Sequence, residues 1–345
     1  MQTVSQIISS ASADAVVTTA PCRADLAGGT LDIWPLYLFH PGAVSVNIAL
    51  NILTACRITP RAGQGITLQS HDTDRKEHFG NLDALRAARS YQHPLAAYLV
   101  RFFRPKAGFL LETLSESPAG AGISGSSAMM IATGAALGRF TGCGIDIEQI
   151  RVIAQNVEAQ VISVPTGCQD YYPAMYGGVN AVHLEPDGIR HEPIPVPLDE
   201  VDQRFVLVYT GAPRQSGINN WEVFKAHING DRRVFRNFEE IVGVARAMHA
   251  ALAAAKWEEV ARLLRAEWKL RKTNASGITT PLIDKLMAVA GKSGGLAAKV
   301  CGAGGGGCVI FMVEPEAKLR VAEAIRASGG QILAFQVARQ GLRLV

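Results

Sequence analysis

A glycine- and serine-rich stretch, residues 118–128, constrains the fold more than any other part of the sequence. It follows an apolar run at 108–114 that is typical of a strand, and it leads into residues 128–137, which have helical character. Glycines let a backbone approach a ligand closely, and free N–H groups at a helix start suit phosphate oxygens. The stretch therefore predicts either a capped loop or a phosphate-binding loop, in which Ser126 and Ser127 cap the helix or contact a phosphate or its metal ion.

A dinucleotide fingerprint overlaps the same stretch. Gly120, Gly122 and Gly125 have the required spacing, and Asp146 lies downstream at about the distance of a ribose contact. A dinucleotide fold needs a strand carrying that acidic residue, whereas residues 146–158 have helical spacing. We therefore expect no dinucleotide site here.

Composition indicates a globular protein with room for two domains. The chain has 345 residues, of which 48% are hydrophobic and 19% charged. The net charge of +4 is small and the basic residues are scattered, so no nucleic-acid partner is indicated. The six cysteines show no zinc-site spacing, and reduced cysteines fit a cytoplasmic protein. Neither a signal peptide nor a membrane span is expected, and the oligomeric state stays open.

The order of predicted elements favours an α+β architecture. Strands dominate the first hundred residues and helices follow, without regular βαβ alternation. A proline run at 193–197 is the best linker candidate, which divides the chain into domains 1–197 and 198–345. Strands are expected at 16–27, 42–60, 65–70, 108–114, 205–210, 308–313, 331–337 and 341–345, and helices at 82–90, 93–103, 126–140, 146–162, 219–228, 231–254, 256–271, 280–291 and 315–328.

Three charged residues gather near the end of the first predicted strand. Arg23 and Asp25 alternate onto one side of it, and Asp32 follows a turn at residues 28–30. Such a group is typical of a ligand site. The spacing alone favours a simpler interpretation, a salt bridge between Arg23 and Asp25 or Asp32.

A second polar loop, residues 164–178, carries the carboxylate of Asp170. A carboxylate on a loop can reach a substrate hydroxyl and act as a general base. The alternative is that Asp170 caps a helix beginning near Tyr171. Glu158, 12 residues earlier, can face the same cavity.

A second glycine run, residues 302–307, precedes a predicted strand near the end of the sequence. Five glycines in six positions need a structural reason, because each costs backbone entropy on folding. Close approach of this backbone to the first domain or to its ligand is the simplest reason.

Residues 23–32, 118–128 and 302–307 together resemble the three motifs of the GHMP small-molecule kinases, in the family's order. The family's phosphate loop reads Pro-x-Gly-x-Gly-Leu-Gly-Ser-Ser, which this sequence follows with Ile123 for leucine and with Ser124 and Gly125 in reversed order. The resemblance implies an N-terminal domain of the ribosomal protein S5 type, a ferredoxin-like C-terminal domain and an active site between them.

Within the family the sequence is similar to bacterial heptose 7-phosphate kinases. Their first motif, Pro-x-Arg-x-Ser-x-x-Gly-Gly-Gly-Thr-Asp, is matched at Pro21, Arg23, Gly28, Gly29 and Asp32, with departures at Asp25, Thr30 and Leu31. Galactokinases carry a glutamate where Gly29 stands, so the resemblance implies a different or longer sugar.

Two further stretches carry this similarity. Residues 167–172 match Gly-Lys-Gln-Asp-Gln-Tyr, with Cys168 and Tyr171 as departures, and residues 209–216 match a Tyr-Thr-Gly strand end followed by Arg and Ser. Arg214 or residues 217–225 are the candidates for the cation that a 7-phosphate group needs.

The resemblance implies an ATP-dependent kinase with Mg²⁺ as cofactor, acting on a sugar or sugar phosphate. Asp170 would be the general base beside Arg23, and Ser126 and Glu158 would bind the metal. Alternatives are a family kinase for an unphosphorylated sugar or uronic acid, or a sugar-binding regulator without turnover. The expected nucleotide-binding residues are Pro118, Gly120, Ala121, Gly122, Ile123, Ser124, Gly125, Ser126 and Ser127, and the expected substrate-binding residues are Asp25, Gly28, Gly29, Asp32, Gly304 and Gly305.

Overall fold

The computed structural model describes residues 3–213 and 218–345, in which strands and helices build two β-sheets with covering helices. The strands are β1 (Val16–Ala27), β2 (Ala43–Arg61), β3 (Ile66–Ser70), β4 (Arg75–Phe79), β5 (Gly108–Ser115), β6 (Val179–Glu185), β7 (Gly188–Pro193), β8 (Phe205–Tyr209), β9 (Gly295–Val300), β10 (Cys308–Val313), β11 (Gln331–Leu333) and β12 (Arg343–Leu344).

The helices include the two long ones predicted after the first glycine loop. They are α1 (Val4–Ser9), α2 (Leu82–Ala87), α3 (Pro94–Phe103), α4 (Gly125–Thr141), α5 (Ile147–Ile162), α6 (Tyr171–Tyr176), α7 (Leu198–Arg204), α8 (Ile218–Ile228), α9 (Arg232–Ala253), α10 (Trp257–Arg271), α11 (Pro281–Lys292) and α12 (Lys318–Ala327). Short 3-10 helices occupy Leu36–Phe39 and Pro315–Ala317.

The first sheet has the order β12-β1-β2-β5-β3-β4, and β6 and β7 extend it from β2. The 19-residue β2 serves two neighbours, since residues 43–48 pair with β6 and residues 54–61 pair with β5. Helix α4 packs on β1 and β2, and the Cβ of an alanine at Gly134 would lie 2.8 Å from Ile150 Cγ2 of α5. This close packing fixes the glycine loop before α4 against the centre of the sheet.

The second sheet has the order β11-β8-β10-β9, with antiparallel pairing throughout. Its strands and helices alternate along the chain as β8, helices α8 to α11, β9, β10, α12 and β11. This β-α-β-β-α-β order is that of a ferredoxin-like domain. The predicted α+β architecture is confirmed, while the domain boundary at residue 197 stays a prediction.

Several expectations need correction at the ends and edges of the fold. The last two strands are shorter than expected, at Gln331–Leu333 and Arg343–Leu344, and the final strand joins the first sheet beside β1. The charged strand β4 was missed because Arg75–Phe79 lacks an apolar alternation. Short helices α1 and α7 and strand β9 were missed as well.

Across the described ranges, none of the helices combines the length and the apolar character that crossing a membrane requires.

Candidate functional site

The first glycine loop connects β5 to α4 and adopts left-handed backbone conformations. Gly120 and Gly122 have φ angles of 67° and 74°, which glycine tolerates without steric cost. Ser124, the residue before the helix, also has a positive φ of 59° and makes no capping hydrogen bond. Its Oγ is buried and has no hydrogen-bond partner among the described residues. A buried hydroxyl without a partner suits a loop that receives a ligand.

A cavity of about 410 Å³ opens beside this loop. Glu158, Gly167, Asp170 and Asn220 also line it. Of the residues expected to bind the nucleotide, Pro118, Gly120, Ala121, Gly122, Ser124, Gly125 and Ser126 line the cavity.

Two members of the expected nucleotide set point elsewhere. The side chain of Ile123 is fully buried in the hydrophobic core, and its carbonyl accepts a hydrogen bond from the Arg23 amide at 2.9 Å. Ser127 is buried and donates to Glu158 Oε2 at 3.2 Å. Their side chains therefore pack the loop, and contact of either residue with a nucleotide stays a prediction.

Glu158 on α5 accepts hydrogen bonds from several hydroxyl groups at the edge of the cavity. Ser126 Oγ donates to Glu158 Oε1 at 2.7 Å, and the Tyr171 hydroxyl donates to Oε2. Burial raises the pKa of Glu158, although the hydrogen bonds from Tyr171 and Ser126 oppose this rise. Ser126 and Glu158 offer oxygen donors side by side, the ligand type that Mg²⁺ prefers. The expected capping of α4 by Ser126 or Ser127 is wrong, because both hydroxyls donate to Glu158 instead.

Asp170 and Arg23 form an ion pair at the mouth of the cavity. Arg23 donates from Nε and Nη2 to Asp170 Oδ1 at 2.9 and 2.7 Å. Burial opposes the charge on Arg23, but the negative charges of Asp170 and Asp25 and the hydrogen bonds to Asp170 together outweigh it and raise the pKa of Arg23. The side chain of Asp170 is 26% exposed, compared with 3% for Arg23. Asp170 precedes α6 and makes no capping hydrogen bond, so the capping alternative is wrong.

The predicted salt bridge between Arg23 and Asp25 or Asp32 is also wrong. The partner of Arg23 comes from a loop 147 residues away, which strand spacing cannot reveal. Asp32 instead holds this loop, since its Oδ2 accepts the Gln169 amide at 2.9 Å. Burial, and then the nearby charge of Asp170, raise the pKa of Asp32 to about 7.

A second, small cavity of about 40 Å³ adjoins the first. Asp170, Gly167 and Asn220 line both cavities. The small cavity is otherwise lined by Arg23, Asp25, Thr30, Asp32, Ile33, Gln169, Arg271, Gly302 and Ala303. Asp170 therefore stands at the junction of two spaces of unequal size.

Asp25 belongs to a buried ion cluster that the sequence did not reveal. Its Oδ2 lies 2.7 Å from Lys299 Nζ and 3.2 Å from Arg271 Nη2. Glu267 Oε1 lies 3.8 Å from Lys299 Nζ, and all four side chains are 6% exposed or less. Burial opposes ionisation of Asp25, but Lys299 and then Arg271 outweigh it and lower the pKa of Asp25. The cluster joins β1 of the first sheet to α10 and β9. A lysine inside the otherwise apolar strand 295–300 was the available sequence signal.

The glycines of the expected substrate set lie against protein atoms. A Cβ at Gly28 would lie 2.1 Å from Val44 O, and one at Gly304 would lie 2.3 Å from Ile278 O. The amide of Gly305 donates to Ile278 O at 2.9 Å. Backbone packing accounts for these positions, and contact with a substrate stays a prediction.

The second glycine loop does approach the first domain, as expected, at its last residue. A Cβ at Gly307 would lie 2.6 Å from Ala121 O, and the Cys308 amide donates to the same oxygen. The two glycine loops therefore touch each other across the domains.

Part of the expected phosphate-binding segment lies outside the described residues, namely Arg214, Ser216 and Gly217. Within the described part of the chain, Lys225 lies 2.7 Å from Glu222 Oε1 on the same helix. The cation that lines the small cavity beside Arg23 is Arg271.

Two family models match the sequence in order. The model of the GHMP kinases N terminal domain matches residues 85–178, and that of the GHMP kinases C terminal matches residues 248–331. Together they cover just over half of the chain.

Several similar proteins and structures are small-molecule kinases. D-glycero-alpha-D-manno-heptose 7-phosphate kinase of Campylobacter jejuni is 25% identical over 336 residues, which cover 94% of this chain and 97% of that protein. Mevalonate kinase of Thermococcus gammatolerans is 27% identical over 69% of each chain. The structure of Lactococcus lactis galactokinase complexed with galactose has a TM-score of 0.82 at 19% identity over 96% of both chains. A D-glycero-D-manno-heptose 1-phosphate kinase from Bacteroides thetaiotaomicron has a TM-score of 0.76 at 24% identity, over 96% of this chain and 98% of that one.

The first matched range contains the glycine loop, Glu158 and Asp170, and the chain belongs to the GHMP kinase family.

Proposed function

We propose that this GHMP kinase transfers the terminal phosphoryl group of ATP to the anomeric hydroxyl of a heptose 7-phosphate. The observation that carries the proposal is the position of Asp170, which lines both the 410 Å³ cavity and the 40 Å³ cavity. A nucleotide in the first and an acceptor in the second would meet at this carboxylate. Phosphoryl transfer depends mainly on such positioning and on charge neutralisation.

Each group at the junction has a role in this reaction. Asp170 accepts the proton of the attacking hydroxyl, and Arg23 holds this carboxylate by two hydrogen bonds while adding positive charge beside the phosphoryl group. The amides of the first glycine loop and the start of α4 hold the phosphates. Ser126 and Glu158 are the residues that would hold Mg²⁺, which neutralises phosphate charge when bound.

The surroundings of Gly29 support an anionic sugar. A Cβ at this position would lie 2.3 Å from Arg271 Nη2 and 2.4 Å from Asp25 Oδ2, so no acidic side chain fits there. A guanidinium group instead lines the small cavity, and guanidinium groups bind phosphate oxygens well. The relative that covers 94% of this chain is a heptose 7-phosphate kinase, which agrees with this substrate class.

The small cavity must widen to admit a sugar. At about 40 Å³ it holds no more than a few water molecules. The hydrogen bond from Thr30 Oγ1 to Asn220 Oδ1, at 3.0 Å, connects two of the residues that line it. We expect this bond to break when the acceptor enters.

A panel of acceptors tests the proposal. ADP release is measured with a heptose 7-phosphate, the corresponding free heptose, galactose and a hexuronic acid, each with ATP and Mg²⁺. The heptose 7-phosphate should give the highest kcat/KM. A free sugar that reacts as well or better would assign the chain to the kinases of unphosphorylated sugars. Sugar binding without turnover, unchanged in Asp170→Asn, would indicate a regulator.

A further inference from the structure

Two histidines and a glutamate converge on the surface, away from the Asp170 junction. His183 lies on β6, Glu192 on β7 and His249 on α9. His183 Nε2 lies 2.8 Å from Glu192 Oε2, and His249 Nε2 lies 3.3 Å from Glu192 Oε1. One ligand atom from each residue lies within 4.8 Å of the other two.

We propose that His183, Glu192 and His249 form a binding site for one Zn²⁺ ion. Imidazole nitrogen and carboxylate oxygen are ligands that zinc binds at about 2.0–2.2 Å, and three protein ligands leave a fourth position for water. The donor set also separates zinc from Mg²⁺ and Ca²⁺, which prefer oxygen ligands alone. The site is therefore distinct in chemistry from the Ser126 and Glu158 oxygens.

The three side chains are accessible. Their exposed fractions are 17% for His183, 39% for Glu192 and 21% for His249, so an ion can reach them from solvent. The imidazole nitrogens and the carboxylate oxygens are therefore open to a metal ion on the same side of the surface.

Arg190 is the one competing cation that contacts this carboxylate among the described residues. Its Nη1 donates to Glu192 Oε2 at 3.2 Å. The side chain of Arg190 is 63% exposed, so it can turn into solvent when an ion binds. This exposed ion pair therefore lowers the affinity of the site for an ion without blocking access to it.

A bound ion would link two parts of the fold that are distant in sequence. Strands β6 and β7 belong to the first sheet, whereas α9 lies among the helices that follow β8. An ion that binds only the folded arrangement stabilises it by mass action. Zinc should therefore raise the thermal stability of the whole chain.

The test uses the full chain without an affinity tag, after removal of metals by EDTA. Calorimetric titration with ZnCl₂ should show one ion per chain with micromolar affinity, and the midpoint of thermal unfolding should rise. Co²⁺ in place of zinc should give the visible absorption bands of a four-coordinate site. Mg²⁺ should produce neither effect.

Variants locate the site. His249→Ala and Glu192→Gln should weaken zinc binding at least tenfold, roughly the loss that even a residue behind a metal ligand produces. Glu192→Gln keeps the size and hydrogen-bonding capacity of the side chain, so its folding is expected to be intact. His78→Ala, at an exposed histidine on β4, and Cys143→Ser, at an exposed cysteine, are matched controls that should bind zinc as the native chain does. Absence of zinc binding by the native chain, or equal binding by His249→Ala and Glu192→Gln, overturns the proposal.

Discussion

The two glycine loops have similar compositions and opposite structural uses. In the first loop, Gly120 and Gly122 turn the backbone alongside a 410 Å³ cavity. In the second, the space beside Gly304 and Gly307 is filled by the backbone carbonyls of Ile278 and Ala121. A run of glycines therefore indicates that something passes close to the backbone. Only the neighbouring chain decides whether that is a ligand or the protein itself.

Two aspartates differ in the same way: Asp170 lies beside the cavity, whereas Asp25 is enclosed by protein atoms. Asp170 pairs with Arg23 and keeps 26% of its side chain exposed beside the first loop. Asp25 pairs with Lys299 where the exposed fractions are 1% and 0%. The first carboxylate is the one to which we assign proton transfer in the proposed reaction, whereas the second joins β1 to α10 and β9.

The largest expected effect belongs to Asp170. Asp170→Asn should lower kcat by about 10²–10⁴-fold, the contribution of a general base. The loss of thermal stability should be smaller than in Asp25→Asn, because Asp170 is 26% exposed and the amide oxygen still accepts the hydrogen bonds from Arg23. ADP release and a melting curve measure the two quantities. An unchanged kcat would remove the assigned role.

Asp25→Asn should act on stability. It leaves Lys299 buried without its closest carboxylate, and breaking a buried pair costs about 3–5 kcal/mol. Urea unfolding measures the loss. Asp199→Asn is the control, because the Asp199–Arg339 pair is 79% and 67% exposed and should contribute little. Equal losses in the two variants would contradict the difference drawn between the aspartates.

Gly307→Ala tests the close approach of the two loops. A left-handed residue with a Cβ costs about 1–2 kcal/mol, and the contact with Ala121 O at 2.6 Å adds to this. Gly63→Ala is a matched control, because Gly63 has a φ of 81° and no atom within 4 Å of an added Cβ. The free energy of unfolding should fall further in Gly307→Ala. Equal losses would show that the loops separate easily.

Ser124→Gly should have the smallest effect on stability. The glycine relieves a left-handed serine and removes a buried hydroxyl without a partner, so the chain should gain about 1 kcal/mol. The KM for ATP should rise, because Ser124 lines the cavity in which we place the nucleotide. Arg104→Gly, at an exposed residue with a φ of 50°, should change stability without changing that KM. A KM for ATP that stays constant in Ser124→Gly would separate this hydroxyl from nucleotide binding.

The local parts of the site could be predicted from the sequence. The order of β5, the first glycine loop and α4 follows from residues that are neighbours in the sequence. Helical spacing after α4 predicted α5, and a helix at that place excludes the dinucleotide fold. The structure explains Asp146 differently, since its carboxylate accepts the Gln149 amide at 2.8 Å and caps that helix. Assignment of Glu158 and Ser126 to one place came from the family resemblance.

The long-range parts could not be predicted in the same way. Glu267 and Arg271 lie one turn apart on α10, and this spacing also fits an exposed helix pair. Only the packing of α10 and β9 against β1 brings Arg271 to Asp25 and Glu267 to Lys299. The sequence predicts a strand at 341–345, but a segment that pairs through only two residues carries no signal for the sheet that it joins.

Arg23 has a consequence for how the two domains work together. Its Nη1 donates to the carbonyl of Gly122 at 2.9 Å and to that of Cys301 at 2.6 Å, while Nε and Nη2 hold Asp170. One side chain thus connects the carboxylate of Asp170 to backbone atoms of both matched domains. A substitution that shifts residue 301 will therefore move the Arg23 guanidinium and, with it, the position of the Asp170 carboxylate.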